Sequence, residues 1–241
     1  MPGKFMNIDG KTVLVTGGAR RVGAELVRAF AAAGADIRLH VRRSRDEAGE
    51  LAAVLPAPER CRILTADLAV PGEAAKLFEA CGPVDILVNN ASMFEPGELA
   101  AGPEARDREH FEVNFWSPLA LMRAFAAQQL REGAVVNLLD QEVVHGSARG
   151  GAYALSRRAL ADATLEFARE LGPRNLRFNA VAPGPVLPPA WLPGGKMEKT
   201  LPTLPLRRKV GLADLAEAVL FLCRNDSITG EILCVDCGQH L

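Results

Sequence analysis

The chain has 241 residues, of which 49% are hydrophobic and 24% charged, and its formal net charge is −1. This length and composition predict one globular domain, residues 1–241, with a sizeable core. The nearly balanced charge excludes a strongly basic nucleic-acid or membrane-surface protein, so we expect neither partner. The sequence has no run of about 18 apolar residues and no apolar signal segment at its start, and we therefore expect a cytoplasmic protein.

Five cysteines are scattered along the chain, mostly within apolar strand or helix patterns. We expect them to be reduced and structural. Cys234 and Cys237 form a C-x-x-C sequence, but no second Cys or His pair accompanies it. We therefore predict neither a metal site nor a redox centre there.

Residues 12–23 predict a strand, a turn and a helix. Two glycines break an apolar run, and apolar residues then recur at helical spacing from Val22 onward. Such a turn directs backbone N–H groups and the positive end of a helix at one place, which suits a phosphate. Gly17 can adopt a positive φ, and Arg20 and Arg21 add two cations beside the turn. The alternative is an ordinary glycine-rich turn that binds nothing.

Residues 36–41 predict a second strand. His40 lies near its end, and Arg42, Arg43 and Ser44 follow it. In a dinucleotide-binding fold an acidic residue at this place holds the ribose 2′-OH of NAD, whereas an arginine accommodates the 2′-phosphate of NADP. The segment has arginines and no acid, which favours NADP over NAD. A solvated basic loop is the alternative.

Residues 61–65 predict a third strand, which Asp67 and Leu68 follow. A fourth strand, residues 84–88, is followed by Asn-Asn-Ala-Ser at residues 89–92. Strands that alternate with helices in this way predict an α/β fold, a Rossmann-type doubly wound parallel sheet of about seven strands with helices on both faces. Ligands of such sheets bind at the carboxyl ends of the strands. A turn-capping role for Asp67 is equally open.

Two further residues stand out near the fourth strand. Phe94 follows the strand end, where an aromatic ring can stack on a planar heterocycle, although a core position is equally open. Asn114 is the odd polar residue in a long apolar helix predicted over 110–130. A buried amide with a purely structural role is the alternative for Asn114.

A fifth strand, residues 134–139, delivers Asp140 at its carboxyl end. Tyr153 follows on a helix, and Arg157 stands four positions later, so the phenol and the guanidinium share one helix face. A phenol has an ordinary pKa near 10, and it is a more effective general acid when an adjacent cation lowers that value. We therefore expect Arg157 to lower the pKa of Tyr153. A loop-capping role for Asp140 is the alternative.

The remaining elements are a sixth strand, residues 175–182, a helix over 213–223 and a strand over 231–235. Pro183 and the residues after it follow the sixth strand. The stretch 188–209 is rich in Pro, Gly and Lys, which predicts a substrate lid in which Trp191 or Leu192 lines the pocket.

The order of these motifs resembles the short-chain dehydrogenase/reductase family along essentially the whole chain. The first turn is similar to T-G-x-x-x-G-x-G, with Arg21 in place of the middle glycine. The strand end and Phe94 match N-N-A-S-x-F, and Asp140 stands where most relatives place a catalytic Ser. These three features resemble the pteridine reductase branch. Arg157 departs from the family, whose relatives carry Tyr-x-x-x-Lys.

The resemblance implies an NADPH-dependent reductase of a pterin, such as a dihydropterin that is taken to its tetrahydro form. In relatives, hydride comes from nicotinamide C4, the Tyr and Asp supply the proton, and the aromatic ring stacks on the pterin. Their chain ends pack at a subunit interface. The resemblance therefore also implies a homotetramer or a homodimer.

The resemblance implies three sets of site residues and no metal ligand. The catalytic set is Asn114, Asp140, Tyr153 and Arg157. The cofactor set is Gly17, Arg20, Arg21, Val22, His40, Arg42, Arg43, Ser44, Asp67, Leu68, Asn90, Ala91, Ser92, Tyr153, Arg157, Pro183, Gly184 and Val186. The substrate set is Arg21, Ser92, Phe94, Asp140, Tyr153, Leu187 and Trp191.

Two other functions stay open. A general NADP-dependent carbonyl reductase would use the same fold and cofactor, although it would more naturally have a hydroxyl donor where Asp140 stands. A catalytically silent NADP-binding protein is the second alternative. It is motivated by Arg157, because a guanidinium keeps the charge of the usual Lys but cannot give up a proton.

Overall fold

The computed structural model describes residues 5–95, 97–141, 143, 150–188 and 196–241. Within these ranges seven strands form one sheet. They are β1 (Thr12–Val15), β2 (Asp36–Val41), β3 (Cys61–Thr65), β4 (Ile86–Asn89), β5 (Gly133–Leu138), β6 (Leu176–Pro183) and β7 (Ile232–Val235). Their runs of apolar residues are typical of strands that helices cover on both faces.

Helices connect the strands. They are α1 (Arg21–Ala32), α2 (Arg45–Ala53), α3 (Glu73–Cys81), α4 (Glu104–Phe111), α5 (Ser117–Ala127), α6 (Gly151–Leu171), α7 (Lys196–Thr200) and α8 (Leu212–Arg224). A π-helical segment, Glu112–Trp116, joins α4 to α5, and 3-10 turns cover Pro58–Arg60, Gly172–Arg174 and Leu201–Thr203. None of the helices in the described ranges has the length and apolar character needed to span a membrane.

All neighbouring strands are parallel, and their order is β3-β2-β1-β4-β5-β6-β7. Leu14 of β1 lies opposite both Arg38 of β2 and Leu87 of β4. The chain therefore leaves β1 toward one edge of the sheet and returns to the other side of β1 with β4. This reversal opens a crevice at the carboxyl ends of β1 and β4, where ligands of doubly wound sheets bind.

The core has two layers because successive strand residues point to opposite faces of the sheet. Val13 and Val15 pack with α1, α2 and α8 on one face. Leu14 packs on the other face, together with Phe125, Phe178 and side chains of α3, α5 and α6. Helices on both faces of a seven-stranded parallel sheet confirm the predicted fold class.

The helix predicted over 110–130 differs from the observed helical run in three ways, and one of them is the earlier end of the observed run at Ala127. The observed helix begins at Glu104. The prediction missed this start because the residues before His110 are mostly charged and exposed or half-exposed, and they lack the apolar stripe on which the prediction rested. The π-helical segment Glu112–Trp116 then interrupts it. Apolar periodicity does not reveal such a segment, since it changes the hydrogen-bond ladder and not the residue types.

Candidate active site

Two adjoining clefts lie at the carboxyl edge of the sheet. The first has a volume of about 840 Å³, and its lining includes the predicted residues Gly17, Arg20, Arg21, Val22, His40, Arg42, Arg43, Ser44, Asp67, Leu68, Asn90, Ala91 and Ser92. The second has a volume of about 360 Å³, and its lining includes Asp140, Tyr153, Arg157, Pro183, Gly184, Val186 and Leu187. Arg21, Val22, Asn90, Ser92 and Phe94 line both clefts, which makes them continuous.

The glycine turn begins where β1 ends. Gly17 has a φ of +63°, and a Cβ there would come within 3.1 Å of the Ala91 Cα. A Cβ on Gly23 would collide with the Gly17 carbonyl, so the first turn of α1 packs directly on the glycine turn. The Asn90 amide donates to the carbonyls of Thr16 at 2.8 Å and Gly17 at 3.1 Å. These contacts pre-form a turn of the kind that binds phosphate at a helix start.

The buried side chain of His40 holds the glycine turn through a hydrogen bond. Its ring is 2% exposed, and Nδ1 accepts a hydrogen bond from the Gly17 N–H at 3.2 Å. Nε2 lies 3.1 Å from the Ala66 carbonyl and therefore carries the proton. Burial, which disfavours the charged ring, lowers the pKa of His40. The structure thus requires a neutral imidazole under the glycine turn.

This buried His40 predicts a loss of stability in acid. Its folded pKa lies below the unfolded value of about 6.5, so the unfolded chain binds more protons as the pH falls. The contribution of His40 to stability is complete above that value and is lost as the pH falls below it. We expect wild type to lose more free energy of unfolding than His40→Gln between neutral and mildly acidic pH, as measured by urea denaturation. Equal losses in the two proteins would contradict this expectation.

The basic loop after β2 carries two arginines, and they differ in whether they form an ion pair. Arg42 donates from Nε to the Asp67 carboxylate at 2.8 Å. Arg43 is exposed at the rim of the first cleft and has no ion-pair partner within the described residues. An exposed cation without an ion-pair partner can receive a 2′-phosphate.

Replacing Arg43 with Ala is expected to weaken NADPH binding about 10- to 100-fold, because a hydrogen bond to a charged group contributes about 1.5–3 kcal/mol. Binding of NADH, which lacks the 2′-phosphate, should change little. Arg45→Ala is the matched control, since Arg45 hydrogen-bonds the Thr65 hydroxyl and does not line the cleft. Fluorescence titration of both cofactors measures the effect. Equal losses of NADPH affinity in Arg43→Ala and Arg45→Ala would show that the effect comes from removing any positive charge in this region and not from a contact of Arg43.

The chemical groups of the second cleft meet at Tyr153. Its hydroxyl donates to Oδ2 of Asp140 at 2.8 Å. The guanidinium carbon of Arg157 lies 5.7 Å from the Tyr153 ring centroid, so the two side chains share one face of α6 as the spacing predicted. The Phe94 ring stands edge-on to the Tyr153 ring, with 4.7 Å between the centroids. Helix α6, strand β5 and the loop after β4 thus converge on one phenol.

The pKa of Tyr153 is raised from its ordinary value, which reverses the direction expected from the sequence. Burial is the largest cause, because a tyrosinate in this 4% exposed position would lose its hydration. The charge of Arg157 lowers the pKa, and the Asp140 carboxylate raises it again. The expected depression was wrong because the sequence does not reveal how deeply the phenol is buried. Tyr153 is consequently a protonated phenol at neutral pH, which suits a proton donor.

Tyr153 is the single tyrosine of the chain, so its ionisation can be observed directly. We expect an ultraviolet titration of the folded protein to give a midpoint above the ordinary value of about 10. Asp140→Asn should lower that midpoint, because it removes a negative charge that opposes tyrosinate. The denatured protein is the control and should titrate near the ordinary value. A folded-state midpoint at or below that of the denatured protein would contradict the raised pKa.

Arg157 is buried with two of its nitrogens unsatisfied. Its side chain is 3% exposed, and neither Nε nor Nη1 has a hydrogen-bond partner within the described residues. A buried donor without an acceptor costs about 1–3 kcal/mol. Acceptors from a ligand in the second cleft would satisfy these donors. The hydroxyls of a ribose fit this requirement, which agrees with the expected place of Arg157 in the cofactor set.

Asn114 lines neither cleft. It is fully buried in the π-helical segment, and its Oδ1 accepts the Met93 N–H at 2.9 Å. Its Nδ2 donates to the Met93 carbonyl at 2.9 Å and lies 3.2 Å from the Ser156 hydroxyl. These bonds account for a buried amide in structural terms. A catalytic role for Asn114 stays a prediction.

Arg21 links the glycine turn to the loop after β6. It has a φ of 56°, which is uncommon for a residue with a side chain, and its Nη2 donates to the Pro188 carbonyl at 2.7 Å. Arg21 therefore stands where the two clefts meet. Trp191, which belongs to the predicted substrate set and lid, lies outside the described residues.

Seven residues that line the second cleft are absent from the predicted sets of site residues: Leu138, Leu139, Gln141, Pro185, Met197, Thr200 and Gln239, of which Met197 and Thr200 fall within the predicted lid. Gln239 lies in the terminal turn, where the Asp236 carboxylate accepts the N–H groups of Gly238 at 2.9 Å and His240 at 2.7 Å. No motif marks Gln141, Thr200 or Gln239. Gln239 reaches the cleft from the turn after β7, and Met197 and Thr200 reach it from α7.

The two cysteines of the C-x-x-C sequence do not belong to one group of possible metal ligands. Cys234, Asp236 and His240 place three potential ligand atoms within 4.8 Å of one another, and Cys237 is not in this group. The Asp236 carboxylate already pairs with His240 Nδ1 and with backbone N–H groups. These bonds explain the cluster as the cap of the terminal turn. The expectation that the chain has no metal site stays a prediction.

Comparison with known proteins agrees with the fold and the motifs. Residues 17–240 match a protein family described as enoyl-(acyl carrier protein) reductase. L-xylulose reductase from Bos taurus is 31% identical over 97% of this chain and 98% of its own length. Pteridine reductase 1 from Leishmania tarentolae is 30% identical over 95% of this chain and 96% of its own.

A solved structure extends the comparison to three dimensions. FolM alternative dihydrofolate reductase 1 from Brucella canis, complexed with NADP, superposes with a TM-score of 0.89. It is 35% identical, over 97% of this chain and 95% of that one. Family match, sequence relatives and fold agree over almost the whole length. The chain therefore belongs to the short-chain dehydrogenase/reductase family of oxidoreductases.

Proposed function

We propose that the protein is an NADPH-dependent pterin reductase, which takes a dihydropterin to its tetrahydro form. The observation that most supports this proposal is the 2.8 Å hydrogen bond between Tyr153 and Asp140, with the Phe94 ring 4.7 Å from the phenol. A carboxylate accepts hydrogen bonds from the amino and ring N–H groups of a pterin, and an aromatic ring covers its flat face. Similarity to a pteridine reductase and to an alternative dihydrofolate reductase adds support.

NADPH suits the two adjoining clefts because they offer the groups that its parts need. Arg43 would hold the 2′-phosphate, the glycine turn would hold the pyrophosphate, and Arg157 would donate to the ribose that carries the nicotinamide. When bound, the cofactor supplies a hydride to the carbon of a C=N bond. The nitrogen also needs a proton, which in this proposal the protein delivers from solvent.

Asp140 and Tyr153 together can provide that proton. While Asp140 is ionised, the Tyr153 proton points at the carboxylate and away from the substrate. When Asp140 takes up a proton from solvent, it can donate to the Tyr153 oxygen, which turns the phenol proton toward the substrate nitrogen. Arg157 takes no part in the transfer because a guanidinium does not release its proton. Its contribution is positive charge and position.

The other parts of the proposal follow the family. Residues 188–209 would form the lid of the second cleft, and Met197 and Thr200 of the described part line that cleft. We also propose that the protein acts in the cytoplasm as a homotetramer or a homodimer. These points stay predictions.

A general NADP-dependent carbonyl reductase is the first alternative. The 31% identity to L-xylulose reductase favours it. Such an enzyme would tolerate Asp140→Ser, because a hydroxyl beside Tyr153 is sufficient to hold a carbonyl oxygen. A pterin reductase would not tolerate this change, because it would lose the carboxyl that donates and accepts protons.

A catalytically silent NADP-binding protein is the second alternative, and Arg157 motivates it. This function would require cofactor binding that Tyr153→Phe leaves unchanged, with no turnover to lose. Such a protein would exert its effect through partners.

The experiment that tests the proposal follows NADPH oxidation with dihydrobiopterin, dihydromonapterin and dihydrofolate, next to L-xylulose and simple ketones. Turnover of a dihydropterin or dihydrofolate is the expected result. Turnover of the ketones alone would favour the carbonyl reductase. Tight NADPH binding without turnover of any compound would favour the silent binder.

A further inference from the structure

We propose that His110 is a positioning residue of the second cleft, because it fixes the loop that presents Phe94. Its effect on turnover rests on the proposed function, in which Phe94 covers a planar substrate. The imidazole lies on α4 and is 2% exposed. Nε2 accepts the backbone N–H of Glu95 at 3.3 Å, and Nδ1 lies 3.0 Å from the Arg106 carbonyl. Only a neutral ring with its proton on Nδ1 satisfies both contacts.

The loop is held on both sides of Phe94. Asn114 binds the N–H and the carbonyl of Met93, each at 2.9 Å, and His110 binds the N–H of Glu95. Both holding side chains come from the continuous helical run from α4 into the π-helical segment. Phe94 is thus the residue between two anchored peptides. Its ring has little freedom to leave the edge of Tyr153, 4.7 Å away.

The imidazole also packs behind the reacting groups. Its ring centroid lies 6.3 Å from that of Tyr153, and the two rings meet edge to face. His110 itself does not line either cleft, so it acts through Phe94 and not on the substrate. A side chain that touches no ligand but fixes one that does is expected to affect substrate affinity more than the chemical step.

Charged groups on several elements surround the imidazole. Arg106, Asp107 and Glu109 lie on the same helix, Glu95 on the anchored loop pairs with the Arg106 guanidinium, and Tyr153 faces the ring from α6. Burial is the largest influence and lowers the pKa of His110, so the neutral form persists at neutral pH. Protonation in acid would place an N–H on Nε2 opposite the Glu95 N–H. Two facing donors would release the loop.

Two substitutions of His110 distinguish the effect of its hydrogen bond to Glu95 from the effect of the space that its ring fills. The amide of His110→Gln reaches the place of Nε2 and can still accept from Glu95, whereas the shorter amide of His110→Asn reaches only the place of Nδ1. Hydrogen-exchange mass spectrometry of residues 93–98 in the NADPH-bound full chain reports the loop directly. Because one hydrogen bond is removed, we expect about 3- to 10-fold faster exchange in His110→Asn and near wild-type exchange in His110→Gln.

With a dihydropterin that wild type reduces, His110→Asn should raise KM about 3- to 10-fold while kcat and the NADPH Kd stay near wild type. Wild type alone gives a second readout. After correction for intrinsic rates, exchange of residues 93–98 should rise in mild acid in wild type and not in His110→Gln. Unchanged exchange in His110→Asn, equal effects of both substitutions, or a fall in kcat with constant KM would overturn the proposal. If wild type reduces no pterin, the proposed function fails, and the exchange results still decide the role of His110.

Discussion

Replacing Tyr153 with Phe is expected to lower kcat for dihydropterin reduction about 10²- to 10⁴-fold, the range that a positioned general acid contributes. In the proposed mechanism the phenol carries the proton that the substrate receives, and its raised pKa keeps that proton in place at neutral pH. Phe preserves the ring and its edge-on contact with Phe94, so the fold should be unaffected. Steady-state kinetics measures the loss, and an NADPH titration separates it from a loss of cofactor binding.

Asp140 supplies the matched controls for this prediction. Asp140→Asn keeps the shape and the hydrogen bond to Tyr153 but cannot take up a proton from solvent, so kcat should fall nearly as far. Asp140→Ser introduces the residue that most relatives carry and should also fail with a dihydropterin. Full activity of Asp140→Asn would show that the carboxyl does not supply the proton. Full activity of Asp140→Ser with ketones would favour the carbonyl reductase.

Arg157→Met should have opposite effects on stability and on cofactor binding. The substitution removes a buried charge whose Nε and Nη1 lack acceptors, and it retains an apolar stem of similar length. A gain of about 1–3 kcal/mol would raise the Tm of the cofactor-free protein by about 2–10 °C. NADPH binding should weaken about 10-fold or more, because the ribose hydroxyls lose their donor. Thermal unfolding with and without NADPH measures both effects.

Arg157→Lys is the control for charge. It restores the residue type of most relatives, so we expect it to keep or raise turnover while it leaves NADPH bound. A fall in Tm of the cofactor-free Arg157→Met protein would contradict the account of Arg157 as an unsatisfied buried cation. Unchanged NADPH binding in that variant would contradict its role toward the ribose.

Local residue patterns were sufficient for the fold. The apolar runs of the seven strands, and the helical spacing between them, predicted a doubly wound parallel sheet. They did so because strands buried on both faces and amphipathic helices differ in the period of their apolar residues. The same patterns placed Asp140 and Tyr153 at the carboxyl edge, since parallel strands end at one edge. The four-residue spacing from Tyr153 to Arg157 predicted their shared face.

Properties that depend on distant segments were decided only by the tertiary structure. The pKa of Tyr153 was predicted in the wrong direction, because burial by several elements outweighs the one cation that the sequence places nearby. Gln239 reaches the second cleft from the terminal turn, and no local pattern encodes that contact.

The sequence by itself therefore determined the family and the sheet and indicated the residues that are proposed to carry the chemistry, because these follow from local periodicity and from short motifs. The tertiary structure alone decided which side chains are buried, which buried donors have a hydrogen-bond acceptor and which loop is anchored. The burial of Tyr153, the unmet donors of Arg157 and the anchoring of Phe94 by His110 depend on contacts between different segments of the chain. The electrostatic free energy of an ionisable group depends on the protein atoms and the solvent around it and not on the residue type alone.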